Sequence, residues 1–244
     1  MPDTKHVLIL SDNTYLIQGF QAIIKKRGIN ADFTFRKSPE RICASTQYSP
    51  KNMESIDVNK KCSYILKNFD LVLSVHSKQI FPKELVYNIK CINIHPGYNP
   101  YNRGWFPQVF SIMNGMPIGV TIHEMDEKID HGNILYQEMV PLESYDDSLS
   151  AYRKILNKEL EMIDKYIMAI IDNTYTSFKP DFEGNINFKK DYQAICALDM
   201  TESMTMAEAI NRLRALTHGE YDNAYFIDEK GRKIYVKVSL HPAI

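Results

Sequence analysis

The run Val7-Leu8-Ile9-Leu10 is apolar at every position. A half-solvated strand alternates apolar and polar side chains, so an unbroken run predicts a strand covered on both faces. Such strands belong to parallel sheets layered between helices. The next residues agree. Ser11-Asp12-Asn13-Thr14 supplies helix-capping side chains, Leu16, Ile17, Phe20, Ile23 and Ile24 recur at helical spacing, and Gly28 ends the pattern. A second strand is expected at residues 31–35, a third in the apolar stretch 69–75 and a fourth at Lys90–His95. The expected fold class is α/β with a mostly parallel sheet. The turn after the first strand contains no G-x-G-x-x-G, which argues against a bound dinucleotide.

Residues 37–57 carry prolines, serines and polar residues without periodicity, and read as irregular structure; residues 59–68 read as a helix. Residues 118–125 and 133–140 are expected to be strands around a polar loop. The longest helix is expected at Ser148–Ile171, with Leu149, Tyr152, Leu156, Leu160, Ile163, Ile167 and Ile170 forming a packing stripe. Past Asn173 the pattern changes. Residues 175–190 read as a crossing segment, Thr205 with Glu208 as a capping box, and residues 225–227 and 233–238 as a hairpin turned at Asp228-Glu229-Lys230-Gly231. The expected division is a main domain, 1–173, and a small C-terminal subdomain, 174–244.

At 244 residues, with 44% hydrophobic and 24% charged residues, the composition is that of an ordinary globular chain. A net charge of −1 and a pI near 6.7 lack the basic excess of a nucleic-acid binder. Cys43, Cys62, Cys91 and Cys196 are scattered without a CxxC pair, as expected of free thiols and not of a zinc site. No apolar run reaches membrane-spanning length and none near the start is long enough for a signal core, so a cytoplasmic protein is expected.

The chemistry concentrates between Cys91 and Leu135. Asn93 and His95 lie two apart on an expected strand, so both side chains leave one face. Asp130 comes later, in a polar loop before Gly132. An amide that donates to an oxyanion, an imidazole that titrates near neutrality and a carboxylate that orients it suit the attack of an amine on a carbonyl. No serine or cysteine nucleophile is needed, because the substrate amine attacks.

Asn93-Ile94-His95-Pro96, Gly119-Val120-Thr121-Ile122-His123 and Asp130-His131-Gly132-Asn133-Ile134-Leu135 together resemble the formyltransferases that use N10-formyltetrahydrofolate. Arg214-Ala215-Leu216 and Ala224-Tyr225-Phe226 are similar to the C-terminal piece of the same family. The resemblance implies a Rossmann-like formyltransferase domain with a small C-terminal helix and hairpin appendage. It implies Asn93, His95 and Asp130 as catalytic residues and no metal, with His123 and His131 in structural or loop roles. The folate co-substrate is expected at Lys78, Gln79 and Ile80 after the third strand and at Asp126, Lys128 and Ile129. Acceptor contacts are expected at Tyr98, Arg103 and Trp105, and at Arg212, Arg214 and Tyr221.

Within the family the chain looks like the sugar N-formyltransferases. That likeness implies a dTDP-linked amino-dideoxy sugar as acceptor, with dTDP-4-amino-4,6-dideoxyglucose foremost, feeding O-antigen assembly. A UDP-amino sugar, glycinamide ribonucleotide and methionyl-tRNA are the other acceptors weighed, and a non-catalytic folate-binding protein is the alternative of another class. The appendage is expected to form a homodimer, with no nucleic-acid or membrane partner.

Overall fold

The uninterrupted apolar runs become the inner strands of one sheet. The computed structural model describes residues 4–42 and 49–243. In chain order the first half comprises β1 (Lys5–Leu10), α1 (Thr14–Arg27), β2 (Ala31–Arg36), α2 (Cys62–Asn68), β3 (Leu71–Val75), α3 (Lys83–Asn88), β4 (Lys90–His95), β5 (Arg103–Gly104) and α4 (Pro107–Asn114). The second half comprises β6 (Gly119–Glu124), β7 (Ile134–Met139), α5 (Ser148–Ile171), β8 (Ile186–Asn187), α6 (Lys189–Cys196), α7 (Met206–Leu216), β9 (Tyr225–Ile227) and β10 (Lys233–Tyr235). The main sheet runs β2-β1-β3-β4-β6-β7, parallel through β4 and antiparallel from β6 onward. This is a Rossmann-like arrangement of the kind the resemblance implies, and the β9–β10 hairpin forms part of the C-terminal appendage.

Alternation sorts the strand residues between two cores. Val7, Ile9, Leu71, Leu73, Ile92 and Ile94 face the layer of α1 and α5, whereas Leu8, Leu10, Val72 and Cys91 face α2 and α3. Each fully buried large apolar side chain is worth roughly 1.5–3 kcal/mol, so slipping a strand by one residue is prohibitive. Strand parity is thereby fixed, and with it the side on which Asn93 and His95 stand. The helix ends are specified as locally as the strands. Asn13 accepts from the Leu16 N–H at the start of α1, and Gly28 at φ 58 closes it through an N–H bond to Ile24. Thr205 and Glu208 form the expected capping box of α7.

Three expectations change. Residues 175–190 hold more structure than a crossing segment: β8 pairs in parallel with β5, and α6 begins at Lys189. A two-residue pairing has no period for a sequence pattern to reveal. The second hairpin strand stops at Tyr235. Cys196, Ala215, Leu216 and Ala224 of the appendage are buried in the same core as α1 and α5. Cys62, Cys91 and Cys196 are free thiols; Cys43 lies outside the described residues. Among the described residues no helix is long and apolar enough to cross a membrane.

Candidate active site

β4 and β6 pair with His95 opposite Thr121 and Asn93 opposite His123. The pleat puts all four on the side that Cys91 shares with α2 and α3. β6 runs antiparallel and leaves the sheet opposite Ile92, so the loop behind it must double back for Asp130 to meet the strands. It does. Asn93 Nδ2 donates to Asp130 Oδ1 at 3.0 Å, and His95 Nδ1 lies 3.4 Å from Asp130 Oδ2. The Gly104 N–H donates to the same Oδ2 at 3.1 Å, and Asn99 Nδ2 to the Asp130 carbonyl at 2.9 Å. Asp130 has φ 48, a left-handed conformation that a non-glycine residue keeps only when its surroundings impose it. Those contacts, from β4, the Asn99 loop and β5, impose it.

Burial alone would raise the Asp130 carboxyl, but the His95 and His123 imidazoles and the Gly104 N–H outweigh it and hold the group down at about 2. Burial pushes the His95 imidazole down to about 4, against the pull of Asp130. At neutral pH a carboxylate therefore faces a neutral imidazole. With Nδ1–H turned toward the carboxylate, Nε2 is left as a proton acceptor. That nitrogen is buried and has no partner. A Cβ added to Gly97 would lie 2.4 Å from it, so the glycine keeps the space beside Nε2 open.

Neighbouring bonds settle the orientation of the Asn93 amide. His123 Nδ1 is 2.7 Å from the Glu124 carbonyl and must donate there, so its Nε2 accepts from Asn93 Nδ2 at 3.2 Å. Both N–H groups of Asn93 are thus engaged, one by Asp130 and one by His123. His123 itself is almost fully buried and belongs to the site's immediate support, closer to the chemistry than a loop role. The register could have revealed it, because parity sets residues 93, 95, 121 and 123 on one face. His131 does brace its loop, with Nδ1 2.6 Å from Asp126 Oδ2 and Nε2 3.4 Å from Glu183 Oε2.

The two loops expected to hold folate flank this centre and are joined by a Lys83–Glu127 ion pair. Ile80 is 71% exposed. The Gln79 side chain turns inward, accepting from the Val58 N–H and donating to the Ile56 carbonyl, both at 3.0 Å, which leaves the folate contact expected there to backbone groups near Gln79 and Ile80. It shapes the loop from beneath. Lys78 anchors the loop through its N–H to Asp12 and sets its ammonium 6.0 Å from the Trp105 ring, which Lys189 approaches at 5.8 Å. Asp126 accepts from the Lys128 N–H at 2.8 Å, and Lys128 and Ile129 are exposed.

Residues expected at the acceptor side divide. Arg103 lies beside Asp130 in a cavity of about 200 Å³, with its Nη2 donating to Glu183 at 3.2 Å and its Nε buried without a partner. Tyr98 packs against Gly119, and Trp105 stacks at a tilt on Phe106. Tyr221 reaches toward the sheet through a series of rings, 5.8 Å from His218, which is 5.7 Å from Tyr152. Arg212 and Arg214 are not brought to the centre. Arg212 donates to the Ile195 and Ala197 carbonyls and pairs with Glu202; Arg214 donates to the Glu143 and Asp146 carbonyls and to Asn211. Guanidinium groups near a helix end find free carbonyls readily, and here they fasten the appendage. Among the described residues no cluster of His, Cys, Asp and Glu could hold a metal ion.

Comparison with known proteins places this geometry. The formyl transferase family model matches residues 24–167, and that of the N-formyltransferase dimerization C-terminal domain matches residues 191–242. A dTDP-4-amino-4,6-dideoxyglucose formyltransferase of Mycobacterium bovis is 42% identical over 236 residues, covering 97% of each chain. A sugar N-formyltransferase structure from a Shewanella species superimposes with a TM-score of 0.91 at 38% identity, covering 98% of this chain and 99% of that one. A 4-N formyltransferase structure from Francisella tularensis does so at 0.88 and 43%, with the same coverage. Likeness of this extent, over nearly the whole length, makes the chain a member of the formyl transferase family.

Proposed function

We propose that the protein transfers a formyl group from N10-formyltetrahydrofolate to the amine of a dTDP-linked amino-dideoxy sugar, dTDP-4-amino-4,6-dideoxyglucose, as its full-length relatives are named for doing. The single observation that carries the chemistry is His95 Nε2: a buried acceptor without a partner, beside a space kept open by Gly97, backed by an ionised carboxylate. These residues fit a folate that supplies an activated formyl group. His95 accepts the proton the attacking amine sheds, and Asp130 stabilises the imidazolium that results; as the bond between the formyl carbon and the folate N10 breaks, that proton passes to N10, leaving the formamide and tetrahydrofolate. Asn93 donates to the developing oxyanion by exchanging its longer bond, the 3.2 Å contact to His123, while the bond to Asp130 holds the amide in place. Excluding water from a buried centre strengthens each of these interactions.

The dTDP acceptor rests on the relatives; the weak fit of Arg212 and Arg214 to a substrate role leaves Tyr98, Arg103, Trp105 and Tyr221 as its contacts in this reading. Met200, Met206, Ile227 and Tyr235 expose apolar surface on the appendage, which fits a homodimer formed there by the region matched to a dimerization domain. A cytoplasmic enzyme feeding O-antigen or a related surface polysaccharide completes the proposal. Incubation with N10-formyltetrahydrofolate and a panel of dTDP- and UDP-linked amino sugars, followed by mass spectrometry, tests it. A formyl gain on dTDP-4-amino-4,6-dideoxyglucose is expected. No gain on any nucleotide sugar, with formylation of glycinamide ribonucleotide or methionyl-tRNA, would overturn the acceptor.

A further inference from the structure

A second acid–imidazole couple lies at the carboxyl edge of the sheet, outside the trio. Glu159 sits in the middle of α5, on the apolar stripe between Leu156 and Ile163, with no exposed surface. Its Oε1 lies 2.8 Å from His76 Nε2, and its Oε2 is buried without a partner. His76 comes directly after β3 at φ 59, so its side chain departs from the pleat's alternation and reaches α5. Tyr152 OH is 3.3 Å from His76 Nδ1 and accepts from Asn13 Nδ2 at 3.1 Å. The donors then run in one consistent direction: Asn13 donates to Tyr152, Tyr152 to Nδ1, and the Nε2–H to Glu159.

A buried carboxyl with one oxygen unanswered is costly, and it is only when both partners of a buried pair are replaced by apolar side chains that a protein is commonly left as stable or more so. A left-handed histidine adds to the cost. Neither feature helps the core, so their coincidence calls for a role elsewhere. His76 is the hinge from which Ser77, Lys78, Gln79 and Ile80 leave the sheet, and Glu159 is what holds its ring.

The geometry points to Glu159 as a positioning residue that, by clamping His76 in its left-handed turn, sets the loop 77–82 against which the formyl donor is seated. This rests on the reading of that loop as the folate side of the site. A merely structural Glu159 would stabilise the fold and leave the two substrates equally affected. A positioning residue would separate them.

Glu159→Leu and Glu159→Gln are to be compared with the unaltered protein in three measurements. Hydrogen exchange of the 77–82 amides, without ligand, reads the loop. Binding of the unreactive 5-formyltetrahydrofolate reads the donor seat, and steady-state kinetics reads both Michaelis constants. For Glu159→Leu we expect faster exchange in 77–82, donor affinity weaker by about tenfold, an acceptor KM within about twofold, and a lower Tm, because the His76 Nε2–H loses its acceptor. Glu159→Gln, whose amide oxygen can still accept from His76, should recover most of the donor affinity. Unchanged exchange and donor affinity in Glu159→Leu would overturn the inference, as would equal losses toward both substrates. Failure of the unaltered protein to bind the folate would sink the proposed function instead, and the exchange data alone would then decide whether Glu159 sets the loop.

Discussion

The acid–imidazole couples His95–Asp130 and His76–Glu159 are both buried, and they are wired in opposite senses. In His95–Asp130 the carboxylate is saturated, receiving from Asn93 and Gly104 with His95 alongside, while the imidazole keeps one nitrogen open. In His76–Glu159 the imidazole is bonded at both nitrogens, and the open valence is on the acid, deep in α5. The first arrangement leaves a proton acceptor facing a space; the second leaves nothing that a substrate could reach. Similar functional groups can thus be read as chemistry or as scaffold by asking which end is unsatisfied.

The sharpest way to break that contrast is His95→Asn. Turnover should fall by about 10²–10⁴-fold with an unchanged far-UV spectrum, as should Asp130→Ala, while His76→Asn loses no more than about tenfold in kcat. An active His95 variant would put the open valence elsewhere. Asn93→Ala should lower kcat by about 10²–10³-fold in single-turnover assays, the usual loss of an oxyanion donor. Gly97→Ala tests the space itself: its Cβ would stand 2.4 Å from Nε2, and displacing the ring should cost about 10²-fold in kcat with the folded structure retained.

Smaller effects test which polar groups serve the fold. Arg212→Ala should lower stability by about 1–3 kcal/mol in urea titration and leave the acceptor KM alone, since its bonds are internal. A raised KM at unaltered stability would return Arg212 to the substrate. The last effect concerns protons. His95 has its pKa lowered to about 4 from 6.5, so the unfolded chain binds a proton there that the native state refuses. Its contribution to stability is fully present above pH 6.5 and is lost as pH falls toward 4, at no more than about 1.4 kcal/mol per pH unit. His95→Asn should flatten that part of the urea midpoint's pH dependence.

How much of the molecule could be read from the chain depended on periodicity. Unbroken apolar runs specify covered parallel strands, and the two-residue spacing of Asn93 and His95 specifies a shared face, so the sheet and two of the trio were legible. Asp130 needed the family likeness, because nothing in the loop sequence says that it folds back and adopts φ 48. Residues that answer to three-dimensional neighbours were not legible. Nothing in the sequence says that the Gln79 amide turns beneath its loop, where the backbone at Ile56 and Val58 claims it. Arg212 and Arg214 have the right chemistry for a diphosphate and lie beside carbonyls first. Glu159 did carry a signal: an acid at helical spacing between Leu156 and Ile163 interrupts an apolar stripe.

β5 is two residues long, and its partner in the structure is β8. One of those two residues, Gly104, supplies the N–H that fixes the Asp130 carboxylate. During synthesis the ribosome therefore completes the trio's side chains well before Ile186 and Asn187 emerge to pin that peptide. A nascent or clipped chain ending short of them would carry every reactive group and still leave one of the carboxylate's N–H donors unpinned, so the last of the trio's supports arrives late, with a strand that contributes no chemistry of its own.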